Sequence, residues 1–539
     1  MLRQHGREGP GEGRSGMGKE TAGVTRSATR VGAATMLSRV FGLARDTFFA
    51  VLFGTGFVAD AFNLAFLIPN FFRRVVGEGN LNPAFVPVFT ELHEKNGTDV
   101  TRVFLRRTSG SLLVVLLVFV LLGVVFAGPL VRLYASGWSD DPAEFSFARL
   151  LLQILFPSLL FAGMSALATA TLNAQRKFVV PALAPIVLNV GFLLGAVAAL
   201  AFETLEARAI VFSIGGLVGG LAAWLVQTPS LREIGYSMRP LWAPNDPQVR
   251  RVAALMGPGI LALGVTQLNL FVDTLLALRL DEGSLSALRL GNRLVLLPMG
   301  VIGVAVATAS LPTLARHAAA DNRAALLGML AHTLKLLLTL LVPAAVGLLL
   351  LSAPIVTLLF QYGEFSAERS TPMTAAALRY YALGLPAFGL VRGLAQGFYS
   401  VQDTKTPVKI ATVGMIVNIS LSFALMGPLG LRGLALATAA AAWVNVSLSL
   451  VLLSRRLGTL RGTGLTATFG RVVLATALLA AGVLAGDALT AGVTGWLGRG
   501  LAVAVPIALG FVGLGIGYAI TRHAEMAEIL ASLPGRRRK

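Results

Sequence analysis

Long apolar stretches alternate with short polar connections along nearly the whole chain. A helix needs about 20 apolar residues to cross a hydrocarbon core roughly 30 Å thick, and the stretches meet that length. The pattern therefore predicts an all-α polytopic membrane protein with about fourteen transmembrane helices. Pro343 and Pro354 predict a kink in the ninth span. The predicted spans are 30–53, 57–77, 109–133, 147–172, 180–202, 208–229, 252–278, 285–309, 327–360, 374–398, 407–427, 431–453, 470–490 and 498–521.

The charges of the connections predict the orientation of these spans. Lys and Arg are concentrated in the leader and in the even-numbered connections, for example at Arg106, Arg107 and Lys405. Asp and Glu mark the odd-numbered connections, for example at Asp140 and Glu364. Because cytoplasmic loops are enriched in Lys and Arg, both termini are expected in the cytoplasm. The net charge of +19 is assigned to these loops, so no nucleic-acid partner is expected.

Composition and motifs remove several classes of function. Only 13% of the residues are charged, against about 25% in soluble domains, and 55% are hydrophobic. The chain has no cysteine and its five histidines lack ligand spacing, so neither a metal site nor a cofactor is expected. P-loop, GxSxG and HExxH motifs are absent from the sequence, which predicts a transporter rather than an enzyme.

An internal repeat divides the chain into parts. Segments 171–189 and 398–418 resemble one another at an offset of roughly 225–229 residues, and six spans separate them, which predicts a parallel repeat. The matched residues are Gln175 with Gln402, Pro181 with Pro407, Asn189 with Asn418, Pro69 with Pro298 and Pro87 with Pro312. The predicted parts are a disordered basic leader over 1–27, six-helix lobes over 28–232 and 250–456, two extra helices over 464–522 and a basic cytoplasmic tail over 523–539.

Arginines inside the apolar spans are the main functional signal. An ionisable group at membrane depth costs at least about 2.5–3.5 kcal/mol on insertion scales, so such a residue usually serves a function. In the first span, Arg39 and Asp46 share a helix face, whereas Arg45 lies about 120° away, so the two arginines are expected to flank a cavity. The alternative is that Arg45 pairs with Asp46 and that Arg39 extends to the interface.

The second and eighth spans add further basic residues. Arg73 and Arg74 end the second span, and anchoring at the membrane interface is the alternative for each, more so for Arg74. Arg293 is the deeper arginine of the eighth span, whereas Arg289 could pair with a nearby carboxylate such as Asp273. A guanidinium fork binds phosphate oxygens bidentately and keeps its charge. Arginines from both halves therefore predict a compact anionic ligand such as a diphosphate.

Oxygen-bearing residues within the spans predict a second kind of site. Asp273, Asn418 and Thr438 could bind a monovalent cation. The alternative is that they form hydrogen bonds between helices. The sequence therefore leaves open whether transport is coupled to Na⁺ or to the membrane potential.

Three segments carry a resemblance to a known family: SRVFGLARDTFFAVLFGTGFVADAFNLAFLIPNFFRRVVGEGNLNPAFVPVF (38–89), FQYGEFSAERS (360–370) and FYSVQDTKTPVKIA (398–411). They resemble segments of the MurJ/MviN family. The members of this family are bacterial lipid II flippases of the multidrug/oligosaccharidyl-lipid/polysaccharide exporter superfamily. The resemblance implies two six-helix lobes, a central cationic cavity and two further helices that form an apolar groove for a lipid tail. It places the family's functional arginines at Arg39, Arg45, Arg73 and Arg293, with supporting polar residues at Ser38, Asp60 and Glu78.

The resemblance also implies a function, which is flipping of lipid II (undecaprenyl diphosphate-linked disaccharide-pentapeptide) across the bacterial inner membrane by alternating access. It implies lipid II and membrane lipids as partners, the cell-wall synthesis machinery as a further partner, and a monomeric transporter. The alternatives are an exporter of another lipid-linked oligosaccharide and a cation-coupled multidrug antiporter. The chain departs from some relatives at Leu296, where they carry an acidic residue, and at the added Arg289. Both departures make the expected cavity more positive.

Overall fold

The computed structural model of the protein describes residues 12–74, 81–493 and 495–532, and the regular structure in these ranges is entirely helical. A 3₁₀ turn lies at Ser136–Asp140 and a π turn at Met299–Gly303. The helices are α1 Glu12–Phe53, α2 Phe57–Arg73, α3 Leu81–Val125, α4 Ala127–Tyr134, α5 Pro142–Leu155, α6 Ser158–Ala174, α7 Val179–Ala199, α8 Leu205–Leu225, α9 Thr228–Glu233, α10 Pro247–Ala277, α11 Ser284–Pro298, α12 Val304–Ala319, α13 Arg323–Leu350, α14 Ser352–Phe360, α15 Ser370–Ala382, α16 Leu385–Ser400, α17 Lys405–Leu429, α18 Leu431–Leu457, α19 Leu465–Thr490, α20 Gly495–Ile520 and α21 Ala524–Ser532.

Most of the predicted spans coincide with long apolar helices. Within the described ranges, ten helical segments are long and apolar enough to cross a membrane, and each overlaps a predicted span. The other four predicted spans fall on α1, α2, α10 and the pair α15–α16, which are also helical. The structure therefore agrees with an all-α polytopic protein of about fourteen transmembrane helices.

The two chain ends are more helical than the sequence predicted. Residues 12–27, expected to be a disordered leader, form the beginning of α1, because extending an existing helix adds one hydrogen bond for each residue fixed. In the expected tail, residues 524–532 form α21. Residues 1–11 and 533–539 lie outside the described ranges.

The ninth predicted span breaks at a different place from the one its prolines suggested. Pro343 lies inside α13, and the helix ends only at Leu350. A new helix, α14, begins at Ser352 and contains Pro354 in its first turn, where the missing proline N–H costs no helical hydrogen bond. The long helix α3 is also interrupted. Its break is at Gly97, whose φ of 77° is accessible mainly to glycine.

The first of two compact units contains the chain up to Phe48 together with Leu64–Pro129 and Ser146–Leu261. Its α7 and α8 approach closely through glycines spaced four residues apart, as in the small-xxx-small packing of membrane helices. A Cβ on Gly191 would lie 2.3 Å from the Cα atom of Gly219, and one on Gly195 would lie 2.9 Å from the Cα atom of Gly215. Larger residues at these positions would force the two helices apart.

The second unit contains Phe49–Asn63, Leu130–Phe145 and the chain from Ala262 onward. Residues 49–63 and 130–145 thus belong to this unit, although the sequence assigned them to the N-terminal lobe. The final helices α19 and α20 pack with α13 around a buried cluster that includes Val472, Leu479 and Leu514.

The predicted repeat has a structural counterpart in the turn between α6 and α7 and the turn between α16 and α17. Each turn has four residues, and the second residue of each has a left-handed backbone, with φ of 56° at Arg176 and 60° at Gln402. In both turns the next backbone amide donates back to the preceding helix, at 2.8 Å and 3.0 Å. The structure therefore aligns Gln402 with Arg176, one residue after the predicted match at Gln175.

Candidate functional site

Arg45 lies on α1 in the first unit and is paired with its neighbour. Its Nη2 atom is 2.6 Å and its Nε atom 3.1 Å from Oδ1 of Asp46, so the ion pair considered as an alternative is present. The pair uses two of the five guanidinium N–H donors. The guanidinium carbon of Arg45 also lies 5.6 Å from the ring centroid of Phe192 on α7, within cation–π range.

Arg73 lines a cavity of about 240 Å³ within the first unit. The Nε atom of Arg73 donates to Oδ1 of Asn70 at 2.7 Å, one turn earlier on α2. Phe192 forms part of the wall of the same cavity. Arg73 therefore faces the cavity directly, and Arg45 contacts one of its walls.

The remaining predicted residues of the first two helices differ in exposure. Ser38 and Arg39 are partly buried on α1. Arg74 is exposed, which fits the interfacial anchor considered for it. Glu78 lies outside the described residues.

The predicted arginine of the second half lies on α11, in the second unit. Arg293 is partly buried, as is Arg289 one turn earlier. Arg289 donates from Nη1 to Oδ1 of Asn63 at 3.2 Å. Leu296, the position of the predicted charge departure, is 45% exposed.

Asp60 is buried within the second unit and caps the beginning of α11. Its Oδ2 atom accepts from the backbone N–H of Gly283 at 2.8 Å. Its Oδ1 atom accepts from the backbone N–H and the hydroxyl of Ser286 at 2.8 Å and 2.6 Å. Asn63 adds a hydrogen bond to the same hydroxyl at 2.8 Å. A carboxylate supplied from α2 thus satisfies amides that the first turn of α11 leaves without partners.

The turn between α1 and α2 joins two of the segments that carry the family resemblance, 38–89 and 360–370. Gly54 has a φ of 58°, and a Cβ there would lie 2.4 Å from the carbonyl oxygen of Glu364. Thr55 donates through its hydroxyl to Ser370 at 2.9 Å, and the backbone N–H of Phe57 donates to Glu282 at 2.6 Å. Within the second unit this turn is therefore bonded to both 282–286 and 364–370.

The predicted cation ligands Asp273 and Asn418 are in contact. The Nδ2 atom of Asn418 donates to Oδ1 of Asp273 and to Oδ1 of Asn269, both at 2.9 Å. Asn269 in turn donates to Oδ2 of Asp273 at 3.1 Å. Thr438 donates to the carbonyl of Leu434, one turn earlier on α18. The hydrogen-bonded arrangement considered as an alternative is therefore present in this unit.

An apolar groove of about 940 Å³ lies in the second unit. Its wall is formed by α13, α19 and α20, with side chains such as Leu348, Leu479 and Phe511. Arg522 and His523 line one part of it. The groove involves the two helices that correspond to the predicted spans 470–490 and 498–521.

Ten of the described helical segments are of membrane length, partly buried arginines lie at a small cavity, and a large apolar groove lies in the second unit. These features fit a multi-pass membrane protein that transports amphiphilic anions. The sequence profile described as "Lipid II flippase MurJ" matches residues 49–502. A relative from Rhizobium meliloti described as "Probable lipid II flippase MurJ" is 38% identical over 467 residues, covering 85% of each chain. The "Lipid II flippase MurJ" of Burkholderia cenocepacia is 36% identical over 435 residues, covering 80% of this chain and 84% of the relative. The chain belongs to the lipid II flippase MurJ family.

Solved structures agree with this assignment. The structure described as "Lipid II flippase MurJ, inward closed conformation" has a TM-score of 0.75 and 26% identity, and covers 91% of this chain and 99% of that chain. An inward-facing multidrug resistance transporter of the MATE family has a TM-score of 0.65 at 13% identity, with coverage of 80% and 99%. The latter similarity concerns the fold alone.

Proposed function

We propose that this chain flips lipid II, a diphosphate-linked glycopeptide lipid, across the bacterial inner membrane for cell wall synthesis. Membership of the lipid II flippase MurJ family is the observation that carries the proposal. Flipping by alternating access involves no covalent chemistry. This agrees with the relatives, which are described as flippases. In this proposal both termini are cytoplasmic, as the loop charges indicate.

Four arginines hold the diphosphate in the proposed cycle: Arg39, Arg45, Arg73 and Arg293. The geometry of the first unit supports this for Arg45 and Arg73, which contact a common cavity wall and line that cavity, respectively. Arg45 retains donors beyond its pair with Asp46, and each guanidinium can bind two phosphate oxygens at once.

The lipid tail occupies the apolar groove in this proposal. Burial of each CH₂ contributes about 0.8 kcal/mol relative to water, but a tail in the bilayer is already out of water. The groove of 940 Å³ therefore serves to guide the tail rather than to provide affinity. Ser38, Asp60 and Glu78 are proposed as supporting polar residues, and the cell-wall synthesis machinery as a protein partner of a monomeric transporter.

Coupling to a monovalent cation is a further part of the proposal. The Oδ1 atom of Asn418 and the Oγ atom of Ser422, one turn later on α17, are buried without hydrogen-bond partners among the described residues. Asn418 contacts the Asp273 carboxylate, and an unpaired oxygen beside a carboxylate matches the ligand preference of a hard cation. Na⁺ at this position would replace hydrogen bonds that Asn418 now makes.

The test is rescue of bacterial cells depleted of their own flippase. Arg39→Ala and Arg293→Ala are expected to abolish rescue, because each removes a positive charge from the proposed diphosphate site. Arg74→Ala is the matched control and is expected to rescue growth, since Arg74 is exposed. Immunoblots of membrane fractions compare the amounts of the three variants, so that a loss of rescue is not mistaken for a loss of expression. Full rescue by both Arg39→Ala and Arg293→Ala would remove these residues from the site.

A further inference from the structure

The cavity beside Arg73 has a mainly apolar lining that also contains a few polar side chains, and the diphosphate alone does not explain these. Besides Arg73, the cavity wall includes the amides Asn70 and Asn82 and three hydroxyl residues. The three are Ser158, Ser165 and Thr169. Among the described residues that line the cavity there is no carboxylate. A mainly apolar wall with a few neutral donors and acceptors and one cation suits an uncharged polar group bound next to an anionic one.

Two of the hydroxyl groups are held in fixed positions. Thr169 donates to Oε1 of the buried Gln227 at 2.9 Å. The Nε2 atom of Gln227 donates to the hydroxyl of Ser165 at 2.7 Å. Ser165 and Thr169 lie one turn apart on α6, so the glutamine locks both side chains in one arrangement. The polar wall is therefore preorganised, which lowers the entropic cost of binding a ligand.

Asn82 differs from these hydroxyls because its side-chain oxygen has no partner among the residues that the structure describes. Its Oδ1 atom is buried and makes no hydrogen bond to any described residue. A buried unpaired acceptor costs folding free energy, and the great majority of such groups in proteins are satisfied. An acceptor of this kind in a cavity wall indicates that a ligand supplies the missing donor.

The size of the cavity limits what it can hold. Sites that bury a drug-sized ligand usually measure about 300–1,000 Å³. A cavity of about 240 Å³ is too small for a complete disaccharide-pentapeptide, but it can hold one ring with its substituent. Phe66 and Phe192, whose ring centroids lie 5.6 Å apart at an interplanar angle of 85°, provide apolar surface for the non-polar face of such a ring.

We propose that this cavity is a subsite for the N-acetylated sugar that adjoins the diphosphate of the lipid-linked substrate. The inference rests on the proposed function, because Arg73 then fixes the diphosphate at one side of the cavity. The sugar attached to that diphosphate is the part of the substrate within reach of Asn82. Asn82 accepts a hydrogen bond from a hydroxyl or acetamide N–H of the ring, and Ser158 lies in the same wall. The subsite thus favours lipids that carry an amide-bearing sugar over lipids that carry only the diphosphate.

Two probes separate this subsite from the diphosphate site. The first is a short-chain, water-soluble prenyl diphosphate, and the second is the same molecule bearing an N-acetylated disaccharide. Their dissociation constants for the purified full-length chain are measured by titration calorimetry in detergent. The sugar-bearing probe is expected to bind about tenfold more tightly, which equals about 1.4 kcal/mol. Asn82→Ala is expected to remove most of this advantage without changing the affinity for the sugar-free probe.

A second variant and a control make the result independent of one substitution. Ser158→Leu fills the cavity and is expected to remove the same advantage, so it replaces Asn82→Ala if that variant does not fold. Asn173→Ala makes the same substitution on α6 away from the cavity lining and is expected to bind both probes as the unchanged chain does. Equal affinities of the unchanged chain for the two probes would overturn the sugar subsite and leave the diphosphate site intact. Failure of both probes to bind would overturn the diphosphate site, and the subsite with it.

Discussion

Asp60 and Ser286, which are 226 residues apart in the chain, are joined by two hydrogen bonds to a single carboxylate oxygen. The first comes from the backbone N–H of Ser286 and the second from its hydroxyl. Together with the bond from Gly283 to the other oxygen, they make Asp60 the N-terminal cap of α11. The helix that carries Arg289 and Arg293 is thus positioned by a residue of α2.

Removal of this cap is expected to destabilise the second unit. Asp60→Ala leaves the backbone amides of Gly283 and Ser286 buried without an acceptor, at a cost of about 1–3 kcal/mol. The expected result is a lower unfolding temperature of the detergent-solubilised protein, with a smaller decrease for Ser286→Ala, which retains the backbone bond. Asp99→Asn, which alters an exposed carboxylate, is the control. Equal unfolding temperatures of Asp60→Ala and the control would show that the cap contributes nothing.

Arg73 and Arg74 offer a matched pair for testing the anion site. Arg73→Lys keeps the charge but loses the planar fork, so binding of a short-chain prenyl diphosphate is expected to weaken about tenfold. The same substitution at the exposed Arg74 is expected to change binding by less than about twofold, as usual for an exposed charge. Titration calorimetry measures both. The assignment of Arg73 to the anion site fails if the two lysine variants bind alike.

The cluster around Asp273 is expected to make transport depend on Na⁺. Flipping in proteoliposomes should be faster in NaCl than in choline chloride of the same concentration. Asp273→Asn is expected to remove this difference, because the amide lacks the charge that binds the cation. Thr412→Val on α17 is the control, since its hydroxyl bonds to its own helix at Val408. Identical rates in both salts for the unchanged chain would exclude a functional Na⁺ site.

Asp403, in the turn before α17, is expected to make stability depend on pH in the acid range. Hydrogen bonds from the side chain and backbone of Thr406, supported by the charge of Arg456, lower the pKa of Asp403 below the ordinary aspartate value of about 3.9. A lowered pKa in the folded state stabilises the protein above the unfolded value. That contribution is lost as the pH falls below about 4 through the folded value.

The measurement is the unfolding temperature between pH 3 and pH 6 for three proteins. The unchanged chain and Asp321→Asn, which alters an exposed carboxylate, should lose stability together as the pH falls. Asp403→Asn should begin from a lower unfolding temperature at pH 6 and show a shallower decrease. A parallel decrease in all three would contradict the role of Asp403.

The positions and order of the long apolar helices could be predicted from the sequence because membrane-spanning helices satisfy their own backbone hydrogen bonds. Their apolar length is therefore a local property of the chain, and the predicted spans coincide with described helices. One pair of turns in the two matched segments also agrees with the predicted repeat, with a one-residue shift that matches Arg176 to Gln402. The helical part of the leader was not predicted, because its polar composition carries no apolar period.

The charged residues of the candidate site were visible in the sequence, but their partners were not. An arginine in an apolar span stands out by its insertion cost alone, so Arg45, Arg73 and Arg293 needed no structure to be noticed. Arg45 and Arg73 have local partners in Asp46 and Asn70, but their other surroundings depend on residues far away in the chain. The contact of Arg45 with Phe192, the cap that Asp60 provides for Ser286 and the position of Asn82 in the cavity wall all follow from helix packing. Local pattern thus determined which segments cross the membrane, and only tertiary structure decided which polar groups meet, because pairing between distant segments leaves no periodic signal in a single sequence.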